Sequence, residues 1–210
     1  MRKRILLLLM ILVLSISLIA CSNSTSQEGE EITTETETAE EVASEGTEEQ
    51  ESQESGPEVE ETDIGIMTRY KTNKDLNLEQ QTGPFVVRVL ASQLATLETN
   101  EDSKPMFDNK DKVTILTLQV EVENTSEETN SIYPNQGTVV TNTKEQVECD
   151  LFLSEDVGGD FIGQVVKKGD IFFILDSDPE EITDVKYIIS APHDENFNTI
   201  GEDITFELSF

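Results

Sequence analysis

The chain has 210 residues, of which 44 are acidic and 14 basic, for a formal net charge of −30. A polyanion of this kind is repelled by nucleic acid and by anionic lipid headgroups, so neither is an electrostatic partner. One histidine and two cysteines are too few for a four-ligand structural zinc site.

The amino terminus reads as a targeting segment. Arg2, Lys3 and Arg4 precede Ile5–Ile19, an apolar run interrupted only by Ser15 and Ser17. That is signal-peptide length, short of the ~20 apolar residues of a membrane-spanning helix. The run closes on Leu18-Ile19-Ala20-Cys21, which resembles the lipobox of bacterial lipoproteins. The resemblance implies a diacylglyceryl group on the Cys21 sulfur, cleavage just before it, and often acylation of the new amino terminus. Two or more acyl chains hold a protein stably at a bilayer where one does so only marginally. The expected location is the outer face of the bacterial cytoplasmic membrane. Residues 1–20 carry three of the basic residues and no acidic one, so the mature chain stands at 11 − 44 = −33. With Cys21 lipidated, Cys149 has no partner for an intrachain disulfide, and a buried, inert thiol is expected there.

Residues 21–63 form a composition block. Ser22–Asp63 holds fifteen Glu and one Asp with no Lys, Arg or aromatic residue. So little apolar area cannot offset the entropy of ordering, and a disordered tether is expected. A flexible coil of that length spans roughly 35–40 Å, and charge repulsion extends it. Residues 64–82 scatter Met67, Tyr70, Leu76 and Leu78 without a clear period, the pattern of an irregular arm or short strand. Residues 83–210 are then one domain's length, enough for a single core.

From Gly83-Pro84 the pattern is strand after strand. Phe85–Leu94 is apolar, and Thr96–Asp111 reads as a polar loop. Lys112–Asn124 is the longest period-2 run: Leu116, Leu118, Val120 and Val122 on one side, Thr117, Gln119, Glu121 and Glu123 on the other. Such alternation is a half-buried strand, with one face for a core and one for water. On this phase Val120→Asp unfolds the domain and Glu121→Lys is nearly neutral. Ser131–Tyr133 stops at Pro134; Thr138–Thr141 and Gln146–Leu153 flank a hairpin-sized connection. Phe161–Val166 and Ile171–Leu175 flank Lys167-Lys168-Gly169-Asp170, again hairpin-sized. Ile182–Ser190 follows, then a loop, Ala191–Asp203, and an alternating final strand from Ile204 to Phe210.

About seven or eight short strands with no helical period indicate an all-β antiparallel sandwich. The segments VEVENTS, VTNTKEQ and GGDFIGQVVKKGDIFFIL, with the alternating terminus, resemble a family of uncharacterised Gram-positive lipoproteins. Domains of that family are similar to telokin-like, immunoglobulin-like sandwiches described as immunoprotective extracellular proteins. The resemblance covers residues 83–210 and implies an immunoglobulin-like fold; it implies no catalytic motif.

Chemistry is sparsely signalled. A Ser/His/Asp arrangement would have to use His193, which sits in the loop Ala191-Pro192-His193-Asp194 without a nucleophile elbow. No enzyme is expected, no Gly-rich phosphate loop supports a nucleotide, and no cofactor is expected beyond the lipid on Cys21. Weak calcium candidates are Asp176 with Asp178, and Asp156 with Asp160; neither cluster matches an EF-hand loop, and solvated turns explain them. The alternative to a binding domain is therefore a calcium-binding or enzymatic surface module using these acidic loops. The less ordinary feature is Ile171-Phe172-Phe173-Ile174-Leu175, apolar on both faces, with Leu151-Phe152-Leu153 similar. One of Phe172 and Phe173 must point away from the core. It is covered by the arm or a loop, or it meets a protein partner.

Overall fold

The computed structural model describes residues 57–210. Cys21 and most of the expected tether lie outside them. The described chain opens with a hairpin, β1 (Glu58–Thr62) and β2 (Gly65–Asn73), followed by β3 (Leu78–Thr82) and β4 (Phe85–Thr99). Where residues 64–82 were expected to form an irregular arm or short strand, β2 and β3 are regularly paired strands, and β1 lies inside the stretch read as tether. Glu58 and Glu60 of β1 both meet the Arg69 guanidinium on β2, which shows why so acidic a strand can be held. Strand β4 runs to Thr99, five residues beyond Leu94, and takes two partners in succession. Its first half pairs with β3, its second with β2. Gly83 turns the chain between β3 and β4 at φ +53°, where a Cβ would lie 2.3 Å from the Ile200 carbonyl oxygen.

Lys112–Asn124 is β5, in the expected bounds, and it is an interior strand of the larger sheet, between β4 and β10. Leu116, Leu118, Val120 and Val122 are wholly buried. On one side β5 pairs with β4, whose register shifts between Val89 and Ala91. On the other it pairs with β10 (Val165–Leu175) along eleven residues, from Val165 opposite Asn124 to Leu175 opposite Thr114. The expected hairpin at Lys167–Asp170 is absent: those residues lie inside β10, and Gly169 sits opposite Val120. A Cβ on Gly169 would come within 2.7–2.9 Å of Glu155 and Val157 side-chain atoms. The glycine marks a close crossing of chain, not a turn.

The second sheet orders β13 (Ile204–Ser209), β11 (Asp184–Ile189), β7 (Thr138–Thr141) and β8 (Gln146–Glu148). Its apolar face supplies Val139, Val185, Tyr187, Ile204, Phe206 and Leu208 to the core it shares with β4, β5 and β10. β13 follows the expected alternation, buried and exposed by turns. A small third sheet orders β12 (His193–Asp194), β6 (Thr129–Ile132) and β9 (Gly159–Ile162). The strand pairings of the described residues are antiparallel, so they form an all-β, sandwich-like fold of thirteen strands, ten of them within residues 83–210 where seven or eight were expected.

The edge of β10 away from β5 is shielded. Asp150 donates its amide to the Phe172 carbonyl and Glu155 to that of Asp170, while the Phe172 amide donates to Ser154 Oγ and that of Asp170 to Glu155 Oε2. Covering an exposed edge in this way removes a template for unwanted pairing. It also explains Leu151–Leu153, which is a turn and not the end of a strand.

Candidate functional site

Phe173 is the inward ring of the two-faced run. It is wholly buried in the main core, edge-on to Tyr187, so it cannot meet a partner. Phe172 is the outward ring, and it is half-buried. With Ile174 it packs on a second cluster of Leu97, Phe107, Val113 and Ile115, joined by Ile64 and Leu153. The cover over this face comes from Phe107 of the loop of residues 100–111, Leu153 of residues 150–154 and Ile64 of the β1–β2 turn. The first loop is fastened to the β1–β2 turn, where Asn100 and Ser103 donate to backbone carbonyls of Asp63 and Ile64.

The acidic loops do not converge. Asp176 pairs with Lys110, and Asp178 Oδ1 accepts the Glu180 amide at 2.9 Å, a local turn. Asp160 Oδ1 accepts from Ser131 Oγ at 2.7 Å, whereas Asp156 is exposed. Among the described residues no three Asp, Glu, His or Cys side chains are grouped to hold a metal ion. Cys149 is buried, and burial pushes its thiol up from the ordinary range. His193 belongs to the short strand β12, paired with Ser131, and not to an open loop.

The most distinctive exposed surface is the outer face of the small third sheet. Asn130, Ile132 and Phe161 turn inward and are buried; Phe161 stands edge-on to Phe85 at 5.2 Å. Because neighbours in a strand face opposite ways, Thr129, Ser131, Asp160 and Ile162 turn outward. They stand side by side, Thr129 opposite Ile162 and Ser131 opposite Asp160. Asn124 fixes the corner beneath them: its buried amide donates to the carbonyls of Glu128, Phe161 and Gly163.

Beside that sheet the loop after β12 is tied by one carboxylate. Asp194 Oδ1 accepts the amides of Asn196 and Asn198 at 2.8 Å each, and Oδ2 accepts Asn198 Nδ2 at 2.8 Å. Those bonds, led by the Asn198 side chain, hold the Asp194 carboxyl below the usual carboxylate range. The loop presents Phe197 at φ +62° with 87 % of its surface exposed. A left-handed conformation costs an L-residue about 1–2 kcal/mol, and glycine is the usual occupant. Ile162 is 77 % and Tyr133 is 40 % exposed. Tyr133 and Phe197 border a cavity of about 370 Å³ together with Ser131, Asp160, Asp194 and Glu195. Its lining holds three carboxylates and no lysine or arginine.

Sequence reading passed over this surface. Its only local signals were an aromatic residue between two asparagines, Asn196-Phe197-Asn198, and the Tyr133-Pro134 step; the registry of β6, β9 and β12 brings them together.

No family model matches the chain. The chain is similar to the SPbeta prophage-derived uncharacterized lipoprotein YonS of Bacillus subtilis, 28% identical over 103 residues. The match takes in 47% of this chain and 50% of that protein, so the chain spans about half the length of the curated relative it matches. A functionally unknown protein from Listeria monocytogenes has a similar fold, with a TM-score of 0.54 at 12% identity over 69% of this chain and 88% of that one.

Proposed function

We propose that this chain is a lipid-anchored, extracytoplasmic protein whose sandwich is a non-enzymatic binding domain. Cys21 carries the acyl anchor at the outer face of the cytoplasmic membrane. The acidic stretch after it spaces the domain from the bilayer, where like charge keeps it from lying down on anionic headgroups. The reading agrees with a relative described as a lipoprotein and with the lipobox-like Leu18-Ile19-Ala20-Cys21.

The observation that carries the binding half is the outer face of the third sheet. Phe197 and Ile162 are large apolar side chains held in the open by a tied loop and a paired strand. Exposed aromatic anchors on rigid supports are a common source of binding energy.

The anchor is tested by metabolic labelling with a fatty-acid probe. The wild-type chain takes up label, and Cys21→Ser abolishes it and leaves an uncleaved or misprocessed precursor. Label persisting on Cys21→Ser contradicts the assignment.

A further inference from the structure

We propose that the outer face of the sheet formed by β6, β9 and β12 docks an extended peptide segment of a protein partner, one that carries lysine or arginine side chains. The inference deepens the reading of the sandwich as a binding domain and rests on it. Charge complementarity selects the partner. Asp160, Asp194 and Glu195 line the cavity without a compensating lysine or arginine in its lining, and two of the three are fixed in place. Asp160 is held by Ser131, and Asp194 by three hydrogen bonds from its own loop.

The aromatic rings point to the same chemistry. A cation over a ring face is attracted by the ring quadrupole, and the protein already uses this contact nearby, where Lys167 Nζ stands 4.6 Å from the Phe161 ring centroid. Tyr133 and Phe197 border the cavity with their rings partly or largely exposed. A lysine or arginine entering it meets carboxylates and aromatic faces together.

The apolar surface extends past the cavity, which favours a peptide over a small amine. Ile162 stands on the same face as Thr129, opposite it in register, and is outside the cavity lining. A small amine gains nothing from Ile162; an extended segment with apolar residues between its cations does. A membrane is disfavoured, since anionic headgroups meet three carboxylates.

The test uses the full lipidated chain purified in detergent and a fluorescent peptide alternating lysine with leucine, followed by anisotropy. Phe197→Gly is the informative variant, because glycine relaxes the left-handed φ while the ring is lost. We expect it to melt no lower than wild type and to bind the peptide about tenfold more weakly. Glu195→Lys and Ile162→Ser should weaken binding similarly, and Glu207→Lys, on the outer side of the second sheet, should leave it within about twofold. No binding of the lysine peptide overturns the proposal. So does equal weakening by Glu207→Lys, which means diffuse attraction to a polyanion, or full competition by butylamine without dependence on Ile162, which means a small-amine site. Peptide binding is read on purified protein, so loss of fatty-acid labelling and loss of docking are separable results.

Discussion

The Phe173 ring stands edge-on to Tyr187, with centroids 5.8 Å apart and planes at 70°. It joins the two main sheets at the centre of the core. Tyr187 is also stacked on Phe206 at 6.1 Å, and its hydroxyl donates to the Pro134 carbonyl at 2.7 Å. Burial holds that phenol neutral, its pKa well above the ordinary tyrosine value.

This arrangement predicts an ordered series in urea unfolding. Phe173→Ala removes a wholly buried ring and should cost about 3–5 kcal/mol. Tyr187→Phe should cost about 1 kcal/mol, because the Pro134 carbonyl keeps the Gly137 amide as a second donor. Phe172→Ala, which truncates a half-buried ring on the second cluster, should fall between them. Equal losses for Phe172 and Phe173 would show that the two faces are not distinguished as described.

Gly169 gives a second prediction. Alanine there places a methyl group against Glu155 and Val157, and overpacking of this kind costs about 1–3 kcal/mol. The loss should be relieved in part by Glu155→Gly. A neutral Gly169→Ala, measured by thermal melting, means that residues 155–157 do not cross β10 at this point.

Strand β5 gives a third, and it revises the sequence expectation. Val120→Asp puts an unpaired charge into a wholly buried site and should unfold the domain, against a total stability of roughly 5–15 kcal/mol. Glu121→Lys is no longer expected to be neutral. Glu121 accepts from Arg88 at 3.0 Å, and Lys168 is its partner in β10. A lysine there faces two cations, so a modest loss of about 1 kcal/mol is expected, shrinking with added salt. A loss as large as that of Val120→Asp would mean the strand's phase is wrong.

What the sequence made legible follows from what alternation encodes. Leu116 to Val122 and Ile204 to Leu208 alternate because one face is buried and one is wet, and both strands lie where alternation puts them. Where a strand carries polar residues for other reasons, the signal fails. Lys167-Lys168-Gly169-Asp170 looked like a turn because it holds charges and a glycine. Lys168 and Asp170 are on the wet side of β10, Lys167 is on the core side with its ammonium over the Phe161 ring, and the glycine accommodates a crossing loop. Likewise Leu151-Phe152-Leu153 looked like a strand, yet only Leu153 packs on a cluster, while Phe152 is 84 % exposed. Ile64 to Leu78 showed no period because β2 shifts register between Arg69 and Lys71, which breaks the alternation. The candidate site was invisible for a different reason. Phe197, Tyr133 and Asp160 are far apart in sequence, and only the pairing of β6 with β9 and β12 makes them neighbours.

Binding through the outer face of the third sheet is read out by site-specific photocrosslinking in intact cells. A photoreactive residue is placed at position 162, on that face, or at position 207, on the outer side of the second sheet, in the full-length anchored chain. The account predicts a discrete protein adduct from position 162, lost with Phe197→Gly, and none from position 207. Adducts from 207 alone, or equal adducts from both positions that survive Phe197→Gly, would contradict it.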